Sequence, residues 1–343
     1  MNILNWKHPI LVALMAFALT AHAQTDVRMM TYNIKGHGMT DTRLENLGKV
    51  ITLTKPDVVA LQEVDNRNIF NRRVDQLAKL ATATGMLSKF HALVGNYYGI
   101  GILSKTRPLS VENRTWQRND ESTDKENRGC IIAEFADYYF ICTHYSLNDV
   151  DRDAATADLI KFARSVDKPV FVAGDFNAKP NYRAMMTFKN NGFKILNDVT
   201  QYTFPSDKPE SCIDMIIFYD STKLFEYAVE NSGVAGVSSV DINNKSVTSD
   251  HLPVFLDLSY SVTSGINAPT EQQNLITMGK GSIINRGEQN AEVEVFTLTG
   301  KKAAAFVLAP CEKRSLNTFL PRGLYVVRAV SGTKTTNGKI MVG

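Results

Sequence analysis

Hydrophobic and polar positions follow two different spacings over the first 260 residues, and together these spacings predict strands interleaved with helices. Apolar residues at helical spacing predict helices around 44–51, ended by Pro56, around 74–81, ended by Gly85, and over 151–165. Short apolar runs predict strands at 27–33, 58–63, 100–103, 130–143 (a hairpin), 170–175, 213–218 and 253–258. This order favours a mixed sheet sandwich with helices outside over a simple parallel wind.

The pattern changes after residue 260. Residues 261–274 have the composition of a linker, and short alternating runs at 291–296, 323–328 and 339–342 predict a small all-β module. We therefore expect a large domain over 24–260, a linker over 261–274 and a small β-sandwich module over 275–343.

The N-terminus has the pattern of a secretory signal peptide. Lys7 precedes an apolar run over 9–19, and the small residues Ala21 and Ala23 stand before Gln24. A membrane anchor is the alternative, but a spanning helix needs about 20 apolar residues. We expect the segment 1–23 to be removed and the protein to be exported to the periplasm, the outer surface or the medium.

The charge is unevenly distributed. The formal net charge of +3 combines about −3 over 24–260, about +5 over 261–343 and the single charge of Lys7. Proteins that bind duplex nucleic acid without sequence preference usually carry a basic surface. The large domain has no such excess, which argues against a duplex nuclease.

Four cysteines are few for a disulfide scaffold, and they form no CxxC or Cys/His cluster typical of zinc sites. Cys130 and Cys142 lie on the two arms of the predicted hairpin and could face each other. The sequence leaves this disulfide open.

Acids, amides and histidines collect at the predicted strand ends. Such residues are poor core formers, but they can hold a divalent metal beside a phosphate and activate a water molecule. Each cluster alone is more often a turn or an exposed edge, whereas six in order favour a metal-dependent phosphoester hydrolase. The six clusters are 31–33, 61–64, 143–146, 174–177, 213–214 and 249–251.

The ordered set resembles the endonuclease/exonuclease/phosphatase superfamily, which includes pancreatic deoxyribonuclease, apurinic-site endonucleases, neutral sphingomyelinases and inositol polyphosphate phosphatases. Gly-Asp-Phe-Asn at 174–177 and Ser-Asp-His at 249–251 carry the resemblance. Two further steps, Gln-Glu at 62–63 and Thr-His at 143–144, lie between the first strand and these two motifs. It spans about residues 26–258. It implies an α/β fold, a four-layer α/β/β/α sandwich with the site at one edge of the packed sheets.

The resemblance also implies roles. Glu63 matches the principal ligand of Mg²⁺ or Mn²⁺, with Asn33 and Asp250 as nearby supports, because hard cations prefer oxygen ligands. His251 matches the general base for the attacking water, and Asp214 matches the acid that fixes its tautomer.

Other positions match residues at the scissile phosphate. Asp175 and Asn177 lie in the Gly-Asp-Phe-Asn motif, and His144 matches a histidine that donates to a phosphate oxygen. Tyr97 and Arg128 match a tyrosine and an arginine that reach the phosphate. For these last two, an ordinary aromatic at a strand start and an exposed loop arginine remain the alternatives.

The chain departs from some branches of the superfamily. It is compact between Asp175 and Asp214, and Cys212-Ile213-Asp214-Met215 lacks the arginine of the inositol phosphatase signature. We therefore expect a secreted Mg²⁺- or Mn²⁺-dependent phosphodiesterase. The alternatives are a phosphomonoesterase on a sugar, inositol or nucleotide phosphate, or a non-catalytic surface binding protein. Nucleic acid, a phospholipid headgroup and a small metabolite all remain open as substrates.

The C-terminal module resembles a sorting domain of type IX secretion, through Val293-Glu294-Val295-Phe296, the run 320–327 and Lys339-Ile340-Met341-Val342. This resemblance implies the export machinery as a partner. A small accessory β-sandwich is the alternative.

Overall fold

The structure is a computed structural model that describes residues 24–343, apart from 70–72, 121, 224, 237–247, 263–275, 280, 288 and 333. The predicted signal peptide and most of the predicted linker lie outside the described residues. The first two linker residues extend the last strand of the large domain instead, because that strand runs to Val262. Among the described residues, no helix has the length and apolar character that crossing a membrane requires.

The described residues contain four helices, and three of them lie where apolar spacing predicts them. The first begins after Thr40, whose side chain accepts a hydrogen bond from the Arg43 N–H. It ends at Lys55, which is left-handed and directly precedes Pro56. The helices are α1 (Asp41–Thr54), α2 (Gln76–Thr84), α3 (Asp149–Ser165) and α4 (Arg183–Asn190).

Twelve strands of the large domain form two six-stranded sheets. The first sheet has the order β11-β12-β1-β2-β4-β3, and the second has the order β5-β6-β7-β8-β10-β9. The strands are β1 (Thr25–Asn33), β2 (Val58–Asp65), β3 (Leu87–Val94), β4 (Tyr98–Ser104), β5 (Ser110–Trp116), β6 (Arg128–Glu134), β7 (Tyr139–His144), β8 (Val170–Asp175), β9 (Lys194–Ile195), β10 (Asp214–Tyr219), β11 (Phe225–Val234) and β12 (Val254–Val262).

The two sheets pack face to face, with helices on both outer faces. Met29 of β1 lies in a core that includes Phe171 of the second sheet, whereas Met30, on the opposite face of the same strand, packs with Leu47 of α1. On the other side, Val172 of β8 packs with Phe162 of α3. These three cores confirm the predicted four-layer α/β/β/α sandwich.

The register of the hairpin rules out the disulfide that the sequence left open. Cys142 pairs with Ile131, so Cys130 is displaced by one residue and faces the opposite side of the sheet. Cys142 lies in the core between the sheets and Cys130 in the core under α3. Both cysteines are free and buried.

The C-terminal residues form a separate all-β core, as predicted. A three-stranded sheet, β13-β14-β17, and a four-stranded sheet, β16-β15-β18-β19, bury Ile283 together with Val293 and Val327. The strands are β13 (Ile276–Gly279), β14 (Ser282–Asn285), β15 (Ala291–Thr297), β16 (Lys302–Leu308), β17 (Lys313–Ser315), β18 (Gly323–Ser331) and β19 (Lys334–Val342).

Candidate active site

The carboxyl ends of four central strands meet at one edge of the sandwich. β1 runs parallel to β2, and β7 runs parallel to β8. Asn33 is the last residue of β1, His144 ends β7 and Asp175 ends β8. The Asn33 amide nitrogen donates to Asp175 Oδ2 at 3.1 Å, so the two sheets touch through these polar side chains.

Two further residues enter the same edge from the following segments. β10 is antiparallel to β8 and begins at Asp214, which pairs directly with Asp175. Ser249 donates its hydroxyl to the Asn33 carbonyl at 2.6 Å, and this bond fixes the segment that carries His251. The Phe204 ring packs against the His251 imidazole, with centroids 4.7 Å apart.

His251 lies between two buried carboxylates. Its Nδ1 is 2.9 Å from Asp214 Oδ2, and its Nε2 is 3.7 Å from Asp175 Oδ2. Because a carboxylate accepts, the contact with Asp214 places a proton on Nδ1 and directs Nε2 towards Asp175. The other oxygen of Asp214 is buried and has no hydrogen-bond partner in the structure.

Burial and charge act in opposite directions on these groups. Burial alone would lower the pKa of His251, but the charges of Asp214 and Asp175 and the hydrogen bond to Asp214 raise it to about 10. Burial raises the pKa of Asp175 to about 6; the charge of His251 opposes this rise and the charge of Asp214 adds to it.

A bulge in β2 places Glu63 at the site. Leu61 pairs with Gly101 and Val64 with Gly99, so Gln62 and Glu63 together oppose a single residue of β4. Glu63 adopts the left-handed conformation, with φ 58°. The Asn33 amide nitrogen donates to Glu63 Oε1 at 2.9 Å. Asn33 therefore bridges the carboxylates of Glu63 and Asp175.

The tyrosine that reaches Glu63 is Tyr98. Burial, followed by the negative charges of Glu63 and Glu126, raises the pKa of its hydroxyl far above the ordinary value. Tyr97, the position matched from the sequence, lies in the turn before β4, and its ring covers Gly95.

We expect Tyr98→Phe to weaken Mn²⁺ binding by about 10–100-fold, the usual effect of removing a partner of a metal ligand. Tyr97→Phe is the matched control, because it removes the same hydroxyl one residue away and is expected to leave the Kd unchanged. Titration of Mn²⁺ followed by electron paramagnetic resonance measures both. Equal effects of the two substitutions would contradict the assignment of Tyr98.

His144 and Asn177 form the other side of the cluster. His144 Nε2 is 3.6 Å from Asp175 Oδ2 and 3.2 Å from Asn177 Nδ2. The Asn177 amide also donates to the Tyr145 carbonyl at 2.9 Å, which fixes its orientation. Burial, followed by the charges of Arg128 and His251, lowers the pKa of His144 well below the ordinary histidine value. His144 is therefore neutral in this site.

Arg128 is a buried residue of the site and not an exposed loop arginine. Its Nη1 lies 3.1 Å from His144 Nδ1, its Nε donates to Asp124 Oδ2 at 3.0 Å, and Nη1 pairs with Glu126 Oε2 at 3.0 Å. Asp124 also accepts from the Ser146 hydroxyl at 2.9 Å. The guanidinium is thus held rigidly against His144, with its charge balanced by two carboxylates.

Asp250 faces a lysine. Lys35 Nζ lies 2.7 Å from Asp250 Oδ2, and both side chains are partly exposed. The Lys35 N–H donates to Asn33 Oδ1 at 3.1 Å. This bond turns the amide so that Asn33 presents its nitrogen, and not its oxygen, to Glu63.

The carboxylates at this edge suit a divalent metal. Oxygen ligands are what Mg²⁺ and Mn²⁺ prefer, and Mg²⁺ is typically held by one or two carboxylates. Glu63 offers such a carboxylate, supported by Tyr98 and Asn33. Ligand atoms of Asp175, Asp214 and His251 also lie within 4.8 Å of one another, close enough to hold a metal ion.

Apart from Tyr97, the predicted site residues lie together at this edge. Sequence reasoning did not identify four residues that contact them: Lys35, Tyr98, Asp124 and Glu126. A signal was present for three of these. Lys35 is two residues after Asn33, and Asp124 and Glu126 precede Arg128 at alternate positions.

Comparison with known proteins agrees with this arrangement. The sequence profile of the endonuclease/exonuclease/phosphatase family matches residues 30–251. A comparison with curated protein sequences finds no match to this chain.

Several solved structures share the fold. A family protein from Bacteroides thetaiotaomicron is 16% identical, with a TM-score of 0.58, and the alignment covers 73% of this chain and 100% of that one. D. rerio TDP2, complexed with a single-strand DNA product, is 18% identical, with a TM-score of 0.54 and coverage of 68% and 99%. A mannosyl-6-phosphatase from Bacteroides thetaiotaomicron is 16% identical, with a TM-score of 0.54 and coverage of 68% and 99%.

The family match covers most of the large domain, the observed sandwich agrees with the similar structures, and the polar side chains meet at one edge of the sheets. The chain belongs to the endonuclease/exonuclease/phosphatase family, whose members are phosphoester hydrolases that use divalent metal ions.

Proposed function

We propose that this protein is an exported phosphodiesterase that uses Mg²⁺ or Mn²⁺ and a water molecule activated by Asp214 and His251. The row of Asp214, His251 and Asp175, joined through Asn33 to Glu63, carries this proposal. A hydrolase needs a proton acceptor, a place for the phosphate and a carboxylate for the metal. This row supplies the first and the last, and His144 and Asn177, which lie beside Asp175, supply the second.

In this proposal each residue has a separate task. Glu63 would hold the metal, with Tyr98 and Asn33 fixing its carboxylate. When bound, the ion would supply positive charge that polarises the phosphoryl group and favours ionisation of water. Neutral His251 accepts the proton of the attacking water, and Asp214 stabilises the imidazolium that results. His144 and Asn177 bind the phosphate oxygens from the opposite side.

The charge balance favours a diester over a monoester. Arg128 is paired with Asp124 and Glu126, and Lys35 is paired with Asp250, so these two cations contribute little excess positive charge. A diester carries one negative charge near neutral pH, whereas a monoester carries close to two. In a site whose cations are already balanced by carboxylates, the free-energy cost of binding is smaller for the diester than for the monoester.

The fold itself accommodates both reactions. One similar structure is bound to a DNA product and another is a mannosyl-6-phosphatase. A phosphomonoesterase therefore remains the second candidate for this chain. We propose the exported location from the N-terminal pattern, and a role of the C-terminal module in export from its resemblance to sorting domains.

The test compares hydrolysis of a bis-aryl phosphate and a mono-aryl phosphate by purified protein that has been stripped of metal and then supplied with Mg²⁺ or Mn²⁺. Metal-dependent cleavage of the diester at a higher kcat/KM than the monoester would support the proposal. Preference for the monoester would establish the phosphatase instead. Absence of turnover on both aryl phosphates, and on panels of nucleic acid and phospholipid, would contradict the assignment of the protein as a hydrolase.

A further inference from the structure

We propose that Lys35, through its ion pair with Asp250, prevents a divalent ion from binding at Asp250 and so limits the site to a single divalent ion, held at Glu63. The inference rests on the proposed function only in that a divalent ion binds at this edge. It assigns Lys35 as a residue that determines metal stoichiometry, a property distinct from the identity of the substrate.

The contact that carries the inference is direct. Lys35 Nζ lies 2.7 Å from Asp250 Oδ2, with side-chain exposures of 50% and 35%. An ammonium group is a compact point charge with three donors, so it satisfies one carboxylate oxygen much as a small cation would. A second divalent ion at Asp250 would have to displace this ammonium or lie beside it, against the repulsion between like charges.

The backbone of Lys35 is fixed on both sides, which distinguishes the pair from a chance surface contact. Lys35 is left-handed, with φ 47°, and its N–H donates to Asn33 Oδ1. The next residue, Gly36, donates its N–H to the Glu63 carbonyl at 2.7 Å. The Lys35 side chain therefore starts from a segment that is tied to Asn33 and to Glu63.

The partner segment is tied to the same place. Arg43 donates from Nη2 to the carbonyls of Ile34 and Lys35, and from Nε to the Thr248 carbonyl at 3.1 Å. One guanidinium thus joins the segment of Lys35 to the segment of Asp250. The fold therefore holds the backbone segments of Lys35 and Asp250 next to each other, so that their side chains are already within contact distance.

The test counts bound Mn²⁺ ions per chain, by electron paramagnetic resonance of the free ion at protein concentrations well above the Kd. We expect one ion in the wild-type protein, one in Lys35→Arg, which keeps the charge, and two in Lys35→Met, which removes it. Lys105→Met is the matched control. It deletes the Lys105–Asp57 pair, which has a similar distance of 2.9 Å and similar exposures of 52% and 39%.

Other results would overturn the inference. Two ions in the wild-type protein, or a second ion in Lys105→Met as well as in Lys35→Met, would show that Lys35 does not set the stoichiometry. A single ion bound more tightly by Lys35→Met would make Lys35 a competitor of that ion instead. These outcomes leave the proposed hydrolase intact, whereas failure of every variant to bind Mn²⁺ would overturn both proposals.

Discussion

His251→Ala is expected to lower kcat for diester hydrolysis by about 10²–10⁴-fold, the usual contribution of a positioned general base. The substitution removes the proton acceptor and leaves the carboxylates of Asp214 and Asp175 facing each other without the imidazole between them. KM is expected to change less than kcat, because the phosphate contacts assigned to His144 and Asn177 remain. Steady-state kinetics at saturating Mg²⁺ measures both constants.

Asp214→Asn provides a second readout that a structural defect alone would not produce. The charge of Asp214 raises the pKa of His251, so its removal lowers that pKa. A base with a lower pKa loses its proton at lower pH, and the rising limb of the pH–rate profile is therefore expected to shift towards acid. His91→Ala is the control for His251→Ala, since His91 contacts the Arg114 carbonyl and Thr115, both on β5. Unchanged kcat in His251→Ala would remove His251 from the mechanism.

Glu63→Gln is expected to weaken Mn²⁺ binding by more than the ~10–100-fold that loss of an outer partner causes, because it removes the carboxylate charge itself. The substitution keeps the size and shape of the side chain, so the contacts with Asn33 and Tyr98 need not be lost. Activity at fixed low Mn²⁺ should fall by the same factor and recover partly at high Mn²⁺.

Glu126→Gln serves as the matched control for this measurement. Glu126 is also at the site edge, but its charge is balanced by Arg128 at 3.0 Å. We expect its effect on the Kd for Mn²⁺ to be much smaller than that of Glu63→Gln. If Glu63→Gln bound Mn²⁺ as tightly as the wild-type protein, the metal would have to be placed elsewhere, with Asp175, Asp214 and His251 as the nearest alternative.

The strands that sequence reasoning missed in the large domain share one property: β3, β5, β9 and β11 are the four edges of the two sheets. Central strands are covered on both faces, and a strand such as β8 is buried throughout. It therefore appears in the sequence as a continuous apolar run. β5 is exposed over most of its length and leaves no such run. α4 was missed because it is short and has only three buried residues.

The sequence by itself predicted a mixed sheet sandwich and the polar clusters that end its strands, because buried strands and the residues that end them are local patterns. The meeting of these clusters at one edge was predicted by the resemblance to the family. Tertiary structure alone decided which tyrosine reaches Glu63, which atom of Asn33 faces the carboxylates, and that Lys35 pairs with Asp250. The Lys35–Asp250 contact joins residues 215 positions apart. The physical reason is that these features depend on register, on a bulge and on long-range contacts, none of which leaves a spacing along the chain.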